Sequence, residues 1–220
     1  MKIIEPFARL LSPQNGIESL RFIESMARIS HRSEDAQTED SWRRFLTAVV
    51  LEHGDWSVVE HATASVIFRV DRGITHELVR HRLFSYTQES TRFVNGRKSY
   101  PNGLEFIIPQ NLVMEIPRNG WTYECVCAYA EKLYLELLDV GARPQEARSV
   151  LPNALASTIG MTGNLRSWRW FFLARTTKES HPDMRRVTIP LLKQFQERIP
   201  LLYDDITPEA RQIGNARKAH

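Results

Sequence analysis

Residues 62–72, ATASVIFRVDR, carry their apolar side chains at every second position. Ala64, Val66, Phe68 and Val70 fall on one face of an extended chain, and Ser65, Ile67 and Arg69 on the other. A strand of this kind has one face to bury and two edges to pair, so it needs sheet neighbours. The period changes at Gly73, where ITHELVRHRLF (residues 74–84) takes up helical spacing. A strand running straight into a helix limits the chain to a mixed fold.

Other segments extend this picture. KIIEPFARLL reads as an opening strand interrupted by Pro6, and LEFIIP as a short strand ended by Pro109. NALASTIGMTGN reads as a further strand. Helical spacing appears in GIESLRFIESMARIS, through Leu20, Phe22, Ile23, Met26 and Ile29. It appears again in SEDAQTEDSWRRFLTAVVLEH, entered through the acidic and hydroxyl residues before Trp42. The longest helix is NGWTYECVCAYAEKLYLELLDVG, stopping at Gly141. RPQEARSVLP begins a short helix at Pro144, NLRSWRWFFLARTTK is another, and HPDMRRVTIPLLKQFQERIP is a third with Pro190 as a bend point. The tail after Pro200 reads as irregular. The expected fold class is α+β: a small antiparallel sheet covered by several helices, with residues 1–220 forming a single domain.

Bulk properties bound the function. With 220 residues, the chain is long enough to bury a sizeable core. A net charge of +3 permits anionic partners without demanding nucleic acid. MKIIEPFARLL lacks the apolar core of a signal peptide, and no apolar run nears the ~20 residues of a membrane span. A reduced cytoplasmic protein is expected, free of membrane and nucleic acid. Cys125 and Cys127 stand two apart on a predicted helix, about 200° from each other. They read as small buried hydrophobes, not as a disulfide or metal pair.

The chemistry-bearing stretch is Arg80-His81-Arg82, with Ser85, Gln88, Ser90, Thr91 and Arg92 after it. Adjacent cations repel, and a helix surface gains nothing from them. On a helix the three would fan across about 200°, too wide for one small anion. They then grip a large ligand with several parts, serve sites shared between subunits, or form a solvated basic helix end. A zinc reading of HELVRH fails, because His76 and His81 are five apart instead of four. A serine-hydrolase reading lacks the G-x-S-x-G elbow, and no Rossmann or P-loop glycine pattern occurs. Short donors at Ser85, Ser90 and Thr91 suit a phosphate, and Gln88 can donate and accept at a nucleobase edge. Arg148, Arg166 and Arg175 sit in apolar surroundings, which together with the first run suggests a buried polyanionic site.

Arg80-His81-Arg82, Ser85, Ser90 and Arg92 match R-H-R-x-x-S-x-x-x-x-S-x-R. In this the chain resembles the flavin-dependent thymidylate synthases. The likeness runs through WSVVEHATASVIFRV, DRGITHELVRHR, EARSVLP and NLRSWRWFFLAR, over roughly residues 40 to 190. The resemblance implies conversion of dUMP to dTMP. 5,10-Methylenetetrahydrofolate gives the carbon, FAD reduced by NADPH gives the hydride, and the assembly is a homotetramer with sites shared between subunits. It implies flavin contacts at Ser57, Arg80, His81, Arg82, Gln88, Asn164 and Arg166, with His53 in the same region as Ser57. It implies nucleotide contacts at Glu77, Arg80, Gln88, Glu89, Ser90, Thr91, Arg92 and Arg148, and a catalytic Arg175 that also touches the uracil ring. Trp170, Glu179, Asp55 and Gln88 depart from residues common in the family. Two other readings of the same arginines are a nucleic-acid-binding module and a non-catalytic flavoprotein.

Overall fold

The computed structural model describes residues 1–111 and 121–208. Its strands are β1 (Lys2–Ile3), β2 (Phe7–Ser12), β3 (Thr63–Asp71), β4 (Ser85–Gln88), β5 (Glu105–Phe106) and β6 (Ala156–Asn164). Its α-helices are α1 (Gly16–Arg28), α2 (Ser41–Leu46), α3 (Arg72–Leu78), α4 (Gly96–Ser99), α5 (Tyr123–Asp139), α6 (Pro144–Ala147), α7 (Leu165–Arg175) and α8 (Pro182–Arg198). α2 continues into a wider π turn over Thr47–Glu52. The start of the predicted helix at Asn119 and Gly120, and the tail beyond Pro208, lie outside the described residues. Among those described, no helix is long and apolar enough to cross a membrane.

Four strands form a sheet in the order β2-β3-β6-β4. β3 and β6 run antiparallel, because partner numbers fall along β6 as they rise along β3. Leu165 N–H donates to Ala62 O at 2.9 Å, Ser65 pairs with Thr162 at 2.9 Å, Arg69 reaches Thr158 at 3.0 Å, and Arg72 N–H donates to Leu155 O at 3.1 Å. The α+β expectation therefore holds. The all-antiparallel expectation fails for β1 and β5, which pair in parallel with Lys2 opposite Glu105 and Ile3 opposite Phe106. That pairing spans a hundred residues, and no local pattern encodes it. On β3 the face read from the sequence is the buried one, with Ala64, Val66, Phe68 and Val70 at 0–1% exposure.

The chain divides into two compact units. Unit one comprises Met1–Phe7, Phe68–Arg80 and Thr87–Ile159. Its apolar cluster is Leu104, Phe106, Cys127, Tyr134, Ala147, Ala154 and Leu155. α5 crosses this cluster. The Thr122 side chain accepts from Cys125 N–H at its start, and Gly141 takes φ +95 just past its end, where a side chain would be strained. Cys127 is buried as expected, but Cys125 is exposed. A two-residue step on a helix sends one of the pair outward.

Unit two comprises Ala8–Ile67, His81–Tyr86 and the described residues from Gly160 onward. α7 and α8 supply Trp168, Phe171, Phe172 and Phe195, which pack edge-to-face or tilted with centroids 4.9–6.0 Å apart, joined by Tyr203. Each is worth about 1.5–3 kcal/mol buried against exposed. Trp168 donates its ring N–H to Ala64 O at 3.0 Å, and Tyr203 its hydroxyl to Leu165 O at 2.9 Å, so neither leaves a polar atom stranded. Pro190 lies inside α8. The segment after Pro200 is irregular, as read, yet Leu202, Tyr203 and Ile206 are buried.

The candidate active site

α3 is shorter than the sequence suggests. Asp71 caps its start, its carboxylate accepting from Ile74 N–H at 3.0 Å. The helix ends at Leu78 and tightens through Arg80 N–H to Glu77 O at 3.3 Å. Arg80, His81 and Arg82 therefore do not fan around a helix, which corrects the expectation above. The cause lies further along. Phe84 packs edge-on to Trp168 at 4.9 Å and over Gly163, where a Cβ would stand 2.3 Å from the Phe84 ring. The Tyr86 hydroxyl donates to His81 O at 2.7 Å, taking the acceptor a continuing helix would use. The stretch read as turn-rich begins as the edge strand β4, and only Ser90–Val94 is a turn.

Unit one gathers most of the nucleotide-side candidates. Gln88, at the end of β4, donates its amide to Thr75 Oγ1 at 3.0 Å and Ser157 Oγ at 3.1 Å. Glu89 accepts from Arg69 at 2.7 Å and from the Tyr100 hydroxyl. Ser90 O accepts from Val94 N–H at 2.9 Å, closing the turn that displays Thr91 and Arg92. Arg148, just past α6, donates to Thr91 Oγ1 at 3.0 Å. These two line a pocket of about 200 Å³ with Arg72, Ser149, Leu151 and Leu155. Two arginines and two hydroxyl residues line this cavity and, among the described residues, no carboxylate does, a lining suited to an anion. Glu77 is half-buried, while Arg80 and the Arg92 guanidinium are exposed, the latter lying over the Phe93 ring at 5.4 Å.

Unit two holds the rest. Arg175, at the end of α7, donates its Nε–H to His81 Nε2 at 2.9 Å. A nitrogen that accepts from guanidinium carries no proton, so His81 is neutral with its hydrogen on Nδ1. Burial, and then the Arg175 charge, push His81 down to about 4. Its ring meets Phe171 edge-on at 4.9 Å. Burial also raises Tyr86 to about 12, keeping its hydroxyl a donor. Asn164 caps α7 by accepting from Ser167 N–H at 2.7 Å, and Arg166 pairs with Glu60 at 2.6 Å. Ser57, His53 and Arg82 are exposed. Of the departures, Trp170 is 53% exposed and Glu179 and Asp55 are exposed too.

The structure thus joins Arg148 to Thr91 and Arg175 to His81, pairs separated by 57 and 94 residues. It adds residues the sequence reading missed. Arg72 and Ser149 line the pocket. Arg69 and Tyr100 both donate to Glu89, and Arg69 also donates to Glu105. Arg69 carried one signal, a cation on the sheet face of an otherwise apolar strand.

The mixed fold thus carries a pocket lined by Arg72 and Arg148 in unit one and a neutral, arginine-bound histidine in unit two. The profile of the family described as thymidylate synthase complementing protein matches residues 11–201. The chain is 36% identical over 173 residues to the flavin-dependent thymidylate synthase of Corynebacterium aurimucosum, covering 71% of this chain and 67% of that one. It is 37% identical over 181 residues to that of Corynebacterium efficiens, covering 75% and 70%. In fold it is similar to the crystal structure of the UMP/dUMP methylase PolB from Streptomyces cacaoi bound with 5-Br dUMP. There the TM-score is 0.71 at 22% identity, over 93% of this chain and 96% of that one. The chain belongs to the thymidylate synthase complementing protein family, that of the flavin-dependent thymidylate synthases.

Proposed function

We propose that the protein converts dUMP to dTMP, taking its carbon from 5,10-methylenetetrahydrofolate and its reducing power from NADPH through FAD. Residues 1–220 act as one catalytic domain, assembled as a homotetramer in the cytoplasm with sites completed by neighbouring subunits. The observation that carries this reading is the pocket shared by Arg72, Thr91, Arg148 and Ser149, read together with membership of the family.

The nucleotide phosphate binds Arg148, Thr91, Ser90 and Arg92, with Arg80, Glu77 and the Gln88 side chain toward the nucleoside. The Gln88 amide nitrogen is committed to two hydroxyls, which directs its carbonyl oxygen to the ligand as an acceptor. Ser57, Arg80, His81, Arg82, Gln88, Asn164 and Arg166 form the set for FAD. Their cations suit a pyrophosphate and their amides suit ring-edge heteroatoms, so the donor set fits the cofactor. When bound, FAD supplies the hydride that completes the methyl group.

Uracil C5 is a weak nucleophile, and a protein can strengthen it with a thiolate or with charge. Cys127 is buried in the unit-one cluster, where burial pushes its thiol up to about 11, and Cys125 is exposed in the first turn of α5, its N–H donating to the Thr122 cap. Neither lines the phosphate pocket. Charge is the alternative. Arg175 stabilises the enolate-like uracil ring, an effect of about 3 kcal/mol by comparison with one oxyanion-hole donor. His81 orients that guanidinium by accepting at Nε2. A neutral histidine does this without repelling the arginine.

The test is direct. The purified protein should show the visible bands of bound flavin. It should release tritium from C5 of dUMP only with methylenetetrahydrofolate and NADPH present. A colourless protein whose oligonucleotide affinity falls steeply with salt would instead be a nucleic-acid-binding module. A yellow protein releasing no tritium would be a non-catalytic flavoprotein.

A further inference from the structure

In unit one a single buried arginine answers to two carboxylates. Arg69 is 7% exposed. Its Nη1 donates to Glu89 Oε2 at 2.7 Å and to Thr158 Oγ1 at 3.0 Å. Its Nη2 donates to Glu105 Oε2 at 2.6 Å and reaches the Tyr100 hydroxyl at 3.4 Å. Glu89 has both oxygens engaged: Oε2 also takes the Thr158 N–H at 3.2 Å, and Oε1 takes the Tyr100 hydroxyl. Glu89 N–H in turn donates to Thr158 O at 2.9 Å. Burial above all, and then the bond to Glu89, raise Tyr100, so its hydroxyl stays protonated and donates.

Glu89 is the last residue fixed on the sheet before the loop turns. Ser90 O accepts from Phe93 N–H at 3.2 Å and Val94 N–H at 2.9 Å, and Ser90 Oγ accepts from Arg92 N–H at 3.3 Å. Thr91 follows, meeting Arg148 at the pocket. The ion cluster carries one positive charge against two negative ones. Without Arg69, two carboxylates whose side chains are 19% and 28% exposed would lose the cation they share. A carboxylate partly withdrawn from water is destabilised when its cation is removed. Glu89 would keep its bonds to Thr158 and Tyr100 but lose its cation, which loosens the start of the turn.

We propose that Arg69 is the positioning residue of the nucleotide loop, drawing Glu89 onto β6 and so holding Thr91 at the pocket it lines with Arg72 and Arg148. Glu89 is then an internal anchor, and its carboxylate does not touch the ligand. This inference rests on the reading that the pocket takes the dUMP phosphate.

The test uses the flavin-loaded enzyme with Arg69→Met, Arg69→Lys, Glu89→Gln and the pair Arg69→Met/Glu89→Gln. Arg69→Met should raise KM for dUMP about tenfold or more while kcat and flavin content stay within about twofold. Arg69→Lys can keep one carboxylate but not both, and should fall between it and wild type. In the pair, the KM effect should be well below the product of the two single effects, because both substitutions break the same contact. Amide exchange at Phe93 and Val94 should quicken in Arg69→Met while α5 is unchanged. Unchanged KM in Arg69→Met, fully multiplicative effects in the pair, or loss confined to kcat would overturn the proposal. If Arg69→Met does not fold, Arg69→Lys and Glu89→Gln decide by the same KM and exchange readouts. A wild-type enzyme that releases no tritium from dUMP would refute the functional reading instead, and the exchange at Phe93 and Val94 would still judge the loop.

Discussion

Arg69 in unit one and His81 in unit two are both withdrawn from water, and each is held by a different kind of force. Arg69 keeps its charge and is surrounded by Glu89, Glu105, Tyr100 and Thr158. His81 gives up its charge and is packed against Phe171 with Arg175 on its Nε2. Around Arg69 the scaffold is a network of ion pairs; around His81 it is aromatic surface from α7 and the strap at Phe84. The first arrangement suits a structural anchor, because its one cation is already matched by carboxylates of the chain. The second suits a ring that gains charge only as it reacts, where a preorganised cation matters most.

Four experiments test that contrast. The largest effect is expected for Arg175→Ala. It should retain flavin and dUMP binding and lose turnover by about 10²–10³, read as kcat in the tritium-release assay. Wild-type turnover would remove Arg175 from the chemistry. Arg148→Ala should act on the other term, raising KM for dUMP by roughly 10–100-fold through loss of a charge-assisted contact while kcat changes little. If it lowered kcat alone, the pocket would not be a ground-state binding site.

A smaller effect concerns pH. His81 has an ordinary value of 6.5 and is pushed down to about 4 in the fold. Above 6.5 it is neutral in both states and costs nothing. Between 6.5 and 4 the unfolded chain takes up a proton that the folded one does not, so stability is lost as the pH is lowered through that window. Urea unfolding from pH 7 to 4.5 should therefore show a shallower loss of stability in His81→Gln than in wild type. Equal slopes would mean that His81 titrates normally. The smallest effect is expected at the thiols: Cys125→Ala/Cys127→Ala should stay active within a few-fold. A folded but inactive double variant would bring back a cysteine nucleophile.

Much of the fold was legible because it is local. The alternation from Ala64 to Val70 specified a strand with its buried face, and Gly141 marked the end of α5. The motif of Arg80, His81, Arg82, Ser85, Ser90 and Arg92 carried the family. Its geometry is not the helical one its spacing suggests, because the period of ITHELVRHRLF continues past the point where the helix stops. Phe84 and Tyr86 end α3 by finding partners at Gly163, Trp168 and the His81 carbonyl, and no window of sequence contains those partners together.

Local periodicity and residue chemistry were enough to determine the elements, the buried face of β3 and the set of cations available to a ligand. Which cation meets which group was decided only by tertiary structure. Arg148 reaches Thr91, Arg175 reaches His81 and Arg69 reaches both Glu89 and Glu105, at separations from 20 to 94 residues. The physical reason is range. Backbone propensity acts over a few residues, whereas the partner of a buried charge is chosen by whichever strands and loops the packed core brings within about 3 Å of it.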